Sequence, residues 1–438
     1  MKPNIMYIHS HDTGRYVSPY GFAMPTPNIQ RLAEDGVLFR NAHNAAPTCS
    51  PSRAALLTGQ SPHSCGQLGL TNRGFELRDR EKHLAATAKS AGYRTVLCGA
   101  HHVVKEPRTC GYEEILELGG DRSEGTRDSS VAKRAAEYIK SVQAGAAPFF
   151  LTVGFGSTHR EFPEPGPEVD ERFVTVPDPL PNTPETRHDM ASYMESVRVL
   201  DECMGIVFNA LDKSGLSDNT LVICTTDHGI AFPFMKCNLT AHGTGVMLIL
   251  RGPGGCTGGK ALDSLVSHVD VFPTVCDIAG IEKPGWLEGV SLIPVIDGTS
   301  LEARTELFAE VTYHAAYEPL RSVRTNRWNY IRRYGDFGKI VLPNIDDSPS
   351  KGYLLDLGLS ELTVEAEELY DLAFDPTERS NLVANEEHQK VLADMRSRLD
   401  RWMERTADPL LVGPVPPPPG TTYNTTNQIS PKQSPVVA

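Results

Sequence analysis

The stretch NIMYIHSHD, Asn4–Asp12, sets a short apolar run against an abrupt polar ending. Asn4–His9 is unbroken by polar alternation, as expected of a strand buried on both faces rather than half in water. Ser10–Gly14 ends it. The same plan returns in GYRTVLCG (92–99), APFFLTVGFG (147–156) and NTLVICTTDHG (219–229), each a compact hydrophobic run closing on Gly, His or Asp. Helical patterns lie around them. TPNIQRLAEDG (26–36) has Thr26 as N-cap, Pro27 at the first helical position and Gly36 as a stop. EKHLAATAKSAG (81–92), DSSVAKRAAEYIKSVQAG (128–145) and RHDMASYMESVRVLDECMGIVFNALDKSG (187–215) are further helices. VMLILRGPG (246–254) reads as another strand and HVDVFPTVCDIAG (268–280) as another helix. Apolar strands alternating with amphipathic helices predict an α/β fold, a mostly parallel sheet sandwiched by helices.

Beyond about residue 300 the texture changes. TELFAEVTY (305–313), RSVRTNRWNYIRRYG (321–335), KIVLP (339–343) and EELYDLAFDP (367–376) read as short strands with tight turns. EEHQKVLADMRSRLDRWMERTADP (386–409) follows as a long amphipathic helix. The expected organisation is a main unit over 1–305, a smaller α+β subdomain over 306–410, and a Pro-rich tail over 411–438. By itself the tail cannot bury enough to fold, so it is either disordered or laid across a neighbouring surface.

Composition narrows the function. Lys plus Arg is 42 and Asp plus Glu is 55, a formal charge of −13. That balance argues against a nucleic-acid or anionic-membrane binder and leaves room for a local basic pocket. The opening MKPNIMYIHS lacks a signal-peptide pattern, and no run reaches the ~20 apolar residues of a membrane span. The nine cysteines are odd in number and without CxxC pairing, against a disulfide framework or zinc knuckle. The expectation is a soluble, reduced, cytoplasmic protein, with a homo-oligomer left open by the proline-rich tail.

In open α/β sheets ligands bind beyond the carboxyl ends of the strands. Those ends carry His9, His11 and Asp12; His101 and His102; Ser157, Thr158, His159 and Arg160; Asp227 and His228. One such ending means little, but four suggest a single polar pocket. Asp12, Asp227 and His228 suit a divalent metal, and His11 is a second ligand, a group that orients one, or a loop histidine. TCSPSRAALLTG (48–59) places Cys49 at or just before a helix N-terminus with Arg53 one turn on, a pocket for a tetrahedral anion. Cys49 itself is core filler, metal ligand, thiolate nucleophile or precursor to another group.

Cys49-Ser50-Pro51-Ser52-Arg53 followed by Leu57-Thr58-Gly59 resembles the signature of type I sulfatases of the alkaline phosphatase superfamily. The likeness runs from NIMYIHSHD through TTDHG to ELYDLAFDPTERSNL, and HGIAFPFMKCNL is similar to the heparan N-sulfatase (sulfamidase)-like branch. The resemblance implies an alkaline-phosphatase-like fold and hydrolysis of a sulfate ester or sulfamate. It implies that a maturation enzyme converts Cys49 to formylglycine, whose hydrate is the nucleophile. It implies that Asp12, Asp227, His228 and the modified Cys49 hold a metal. Asp227 would also accept a proton from the hydrate, Arg53 would orient it, His102 would take the proton when sulfate is eliminated, and His159 and Lys236 would bind sulfate oxygens. Two positions depart from the family pattern. His11 stands where a second acid is usual, which shifts weight from calcium toward manganese or zinc. Ala100 stands where a lysine is usual, with His101 or Lys105 as substitutes. The runner-up is a phosphonate monoester hydrolase or phosphodiesterase of the same superfamily; a glycan-binding protein without activity is the reading from another class.

Overall fold

The three central strands are mostly apolar because both their faces are covered. In the computed structural model, which describes residues 2–118, 124–143, 145–335 and 338–438, β1 (Asn4–His9) lies between β5 (Phe149–Gly154) and β6 (Thr220–Thr225), all six residues of each buried. Ile5 and Tyr7 point into one apolar cluster, Met6 and Ile8 into the other. The sheet is completed by β2 (Val37–Phe39), β3 (Arg94–Gly99), β4 (Glu114–Leu116), β7 (Leu248–Arg251) and β8 (Lys260–Leu262), in the order β4-β3-β5-β1-β6-β7-β2-β8. Only β7 runs antiparallel to its neighbours.

One face is covered by α2 (Cys49–Thr58), α3 (Leu84–Ser90) and α6 (Val271–Ala279), through residues such as Leu56, Leu57, Leu84, Phe272 and Val275. The other is covered by α1 (Pro27–Asp35), α4 (Glu124–Ser141) and α5 (Pro184–Lys213), through Ile29, Leu32, Val131, Leu200 and Met204. Each such side chain contributes about 1.5–3 kcal/mol when fully buried. The expected α/β sandwich is what forms. Thr26 does occupy the N-cap of α1, but its hydroxyl bonds Ser18 rather than the helix. Ala144, at the end of the stretch expected to form α4, lies outside the described residues.

The strand register decides where function can sit. His9 is level with Gly154 on one side and Thr225 on the other, and Gly154 is level with Gly99. The carboxyl ends of four parallel strands therefore form one row. Glycine is required at two of these ends: a Cβ on Gly154 would lie 2.0 Å from the Ala100 carbonyl oxygen, and one on Gly99 2.2 Å from that of Gly154.

A second, antiparallel sheet of β9 (Leu307–Tyr313), β10 (Tyr317–Arg324), β11 (Trp328–Arg333) and β12 (Glu367–Asp371) packs under α7 (Gln389–Arg405) through Val323, Tyr330, Leu369, Leu392, Leu399 and Trp402. KIVLP does not form the expected strand. Pro343 has no N–H to give a ladder, and Leu342–Asn344 is a single 3₁₀ turn. The tail takes the second of its two alternatives and lies across the chain's own surface. Thr422–Tyr423 pairs with Val436–Val437, Asn424 bonds Ala315, and the buried Lys351 ammonium donates to the Ile429 carbonyl at 2.7 Å. Among the described residues no helix is long and apolar enough to cross a membrane.

A buried charge cluster joins the second sheet to the helical turn Pro62–Cys65 that follows α2. Arg321 on β10 forks onto Asp408, beyond α7, at 2.5 and 3.1 Å, and Glu310 on β9 accepts from both the backbone and the ring of His63. Burial lowers the His63 pKa, but Glu310 and Asp408 outweigh it and the net shift is upward. The stabilisation from the protonated ring is therefore complete below about pH 6.5 and lost as pH rises through the folded value. The melting temperature of the native chain should fall across that window, and that of His63→Asn should fall less. Equal slopes in thermal melts at several pH values would refute this account.

Candidate active site

The row of strand ends delivers the polar groups to one place. Asp12 follows β1, His102 follows β3, Thr158 and His159 follow β5, and Asp227 and His228 follow β6. Asp12, His102 and Thr158 hold left-handed backbone conformations, with φ of 42°, 58° and 77°. Each costs ~1–3 kcal/mol outside glycine, and the fold imposes all three immediately beyond strand ends.

Asp227 is the fixed point. Its Oδ1 accepts from the backbone N–H of Asp12 (2.8 Å) and of His228 (2.9 Å), its Oδ2 from Arg53 Nη2 (2.9 Å), and its carbonyl from Ser52 Oγ (2.5 Å). Burial raises its pKa, yet His228, Arg53 and His11 hold it well below the usual carboxylate range. Cys49 is the first residue of α2, its sulfur 3.4 Å from His228 Nε2. Burial pushes the Cys49 thiol far up, which disfavours the thiolate reading.

His228 Nδ1 lies 2.9 Å from the Gly229 carbonyl and donates to it, and its Nε2 faces Asp12 Oδ1 at 3.2 Å and Asp227 Oδ1 at 3.7 Å. Asp12 Oδ1 is buried with no hydrogen-bond partner. His11 Nδ1 is 3.3 Å from Asp227 Oδ2 but without hydrogen-bond geometry. Ligand atoms of His11, Asp12, Cys49 and Asp227 all lie within 4.8 Å of one another. The unpartnered Asp12 Oδ1 and His11 Nδ1, converging beside Asp227 and Cys49, fit a divalent cation held by oxygen and nitrogen.

Two cations flank this centre, Arg53 and Lys236. The Lys236 ammonium donates to Asp12 Oδ2 at 3.0 Å and forms an ion pair with Asp346 Oδ2 at 2.9 Å. Burial lowers its pKa, but the two carboxylates outweigh this and keep it charged. His102 and His159 close the ring, their imidazoles 5.9 and 5.4 Å from that of His11. Burial, with Arg53 nearby, brings His102 down to about 4, so its ring is neutral near pH 7. Outside lies a cavity of 490 Å³ lined by His159, Arg160, Asp346 and, from the tail, Pro431 and Lys432.

The structure does not bring every candidate together. His101 turns to His83, whose Nδ1 accepts from Ala85 N–H, so that Nε2–H is left to donate to His101 Nε2 at 3.2 Å. This hydrogen-bonded pair, beside Cys110 and Tyr112, occupies His101 as a core group rather than a sulfate binder. Lys105 is exposed. Arg160 forks onto Asp189 at 2.7 and 2.9 Å and stacks on Phe162 and Phe232, a scaffold role. Asp346 was not legible from the sequence, where it is one of two acids in the loop NIDDSP.

Residues 3–281 match the sulfatase family. The chain belongs to that family. Residues 233–352 of this sulfatase also match the family described as N-sulphoglucosamine sulphohydrolase, C-terminal. It is 29% identical to human N-sulphoglucosamine sulphohydrolase, over 94% of this chain and 92% of that one. It is 28% identical to an ulvan-active sulfatase of Formosa agariphila, over 99% and 87%. Among solved structures, the sulfatase fold here is similar to that of a 2-O GAG sulfatase, with TM-score 0.71 and 23% identity over 94% of each chain. A second similar structure was solved with its substrate D-glucosamine-2-N,6-O-disulfate, with TM-score 0.71 and 19% identity over 93% of this chain and 99% of that one. The sulfatase is thus an enzyme that hydrolyses sulfate esters or sulfamates.

A cation among these donors should stabilise the fold by about 2.7 kcal/mol at a hundredfold excess over its dissociation constant. Dialysis against a chelator should lower the melting temperature, added calcium or manganese should restore it, and Asp12→Asn should shrink the difference. A melt indifferent to both metals would sink the assignment.

Proposed function

We propose that this sulfatase releases inorganic sulfate from an O- or N-sulfated saccharide and that Cys49 is converted to formylglycine. One arrangement carries the reading: a sulfur at the first turn of α2, 3.4 Å from His228, beside two carboxylates and between Arg53 and Lys236. Asp12, Asp227, His228 and His11, with the converted Cys49, would hold a divalent cation, which would supply Lewis-acid stabilisation of negative charge at position 49 and on the sulfate oxygens. Calcium is the cation the family resemblance favours, while two imidazole nitrogens favour manganese or zinc. The aldehyde hydrate supplies a nucleophile with a second hydroxyl, so sulfate can leave without water attacking the ester.

The other roles belong to side chains present in the chain. Asp227 accepts the proton of the attacking hydroxyl. Arg53, fixed by Asp227 and the Ser10 carbonyl, orients position 49 and offsets its developing charge. Lys236 and His159 receive the sulfate oxygens, and the Lys236 ammonium can donate a proton to the departing oxygen or nitrogen. His102, neutral and partly exposed, accepts the proton from the remaining hydroxyl as sulfate is eliminated. The 29% identity to N-sulphoglucosamine sulphohydrolase and the match over 233–352 support a saccharide and include an N-sulfate.

Mass spectrometry of the Cys49 peptide from a host with the maturation enzyme should show a loss of about 18 Da. That material should turn over N-sulfoglucosamine or a sugar O-sulfate in preference to a 4-nitrophenyl phosphonate monoester. Cys49→Ala should lose at least ~10³-fold in kcat. Preference for the phosphonate ester would replace this reading with the phosphonate hydrolase, and full turnover by Cys49→Ala would remove the nucleophile.

A further inference from the structure

A cavity of 770 Å³ opens where the main unit meets the end of α7. Arg78, Trp286, Glu288 and Arg304 line it from the main unit, and Arg405 and Thr406 from the end of α7. None of the residues assigned to the reaction belongs to its wall. The wall holds α2 by the end opposite Cys49: Trp286 Nε1 donates to the Thr58 carbonyl at 3.2 Å, and Glu288 N–H to the Gly59 carbonyl at 2.8 Å. Ten helical residues set these bonds roughly 15 Å from position 49.

The charges on this wall do not balance. Arg304 Nε donates to Asp270 at 2.9 Å, and its Nη2 bonds the same carboxylate, so that cation is neutralised. Arg78 and Arg405 are exposed, and no carboxylate pairs with either among the described residues. Arg78 Nη2 reaches the His63 carbonyl only at 3.5 Å. Against these two stands Glu288, whose Oε2 accepts from Ser61 N–H at 3.1 Å. The Lys82 ammonium, 5.6 Å from the Trp286 ring centroid, adds a further positive charge. An excess of cations in a concave wall, on a chain of net charge −13, focuses a field that draws anions. A planar guanidinium fork suits a sulfate or carboxylate. The volume suits a small organic ligand rather than a bare ion.

We propose that this cavity is a second binding site, for an anionic sugar whose sulfate or carboxylate is received by Arg78 and Arg405, separate from the sugar being desulfated. The choice of a sugar rests on the sulfatase reading; the excess of positive charge does not.

The test uses Cys49→Ala protein and a disaccharide of N-sulfoglucosamine and a uronic acid. Soaked crystals should show the sugar against Arg78 and Arg405, and calorimetry should resolve two sites. Adding Arg78→Ala and Arg405→Ala should weaken one site by roughly tenfold or more, and Lys236→Ala should weaken the other. Without ligand, the double arginine variant should melt with its parent, since both side chains are exposed and unpaired. In converted enzyme with Cys49 otherwise native, the two arginine substitutions should leave kcat and KM for N-sulfoglucosamine within about twofold. A single site, or two sites unaltered by the arginine substitutions, overturns the proposal. So does inorganic sulfate binding in the cavity as tightly as the disaccharide, and so does a large change in kcat or KM. Absence of sulfate release from every sulfated sugar would instead overturn the sulfatase reading, with occupancy of the cavity still read from the crystals.

Discussion

Asp227 is ionised, enclosed, and approached from three directions: by Arg53 and Ser52 from α2, by the Asp12 backbone from the loop after β1, and by its own neighbour's N–H. The carboxylate that helps form the proposed metal site thus also locks helix to sheet. Removing either charge of the Asp227–Arg53 pair would leave the other buried without compensation, at a cost of about 3–5 kcal/mol. Site and scaffold are therefore inseparable here.

The register of the sheet makes such a hub possible. His9, Gly154, Gly99 and Thr225 end level with one another, so four separate loops start from one line. The contacts at Gly99 and Gly154 leave no room for a Cβ, and the turns beyond them place His102 and His159 near His11. The positive φ of Asp12, His102 and Thr158 is sustained by this packing.

The strands and most of the site were legible in the sequence for a local reason: buried parallel strands show as unbroken apolar runs, and the residues after them face the ligand side. Asp12, Asp227, His228, His102 and His159 could all be placed by that rule. Asp346 could not, because it reaches the cleft from a loop with no periodic signal, far along the chain from the other site residues. His101 illustrates the converse failure. It follows the same strand as His102, yet the reversal of direction between adjacent residues sends it into the core against His83. KIVLP failed because Pro343 interrupts a run that otherwise has strand composition.

Every residue of α2 from Cys49 to Thr58 is buried, and Cys49 is 2% exposed. Its sulfur lies 3.4 Å from His228 Nε2. Chemistry on that sulfur by another protein accordingly has a deadline. A maturation enzyme acting on Cys49, as proposed above, would have to reach the segment around residue 49 before the loop after β6, which carries Asp227, closes against it. The order of synthesis favours this, since residues 49–53 are made long before 227.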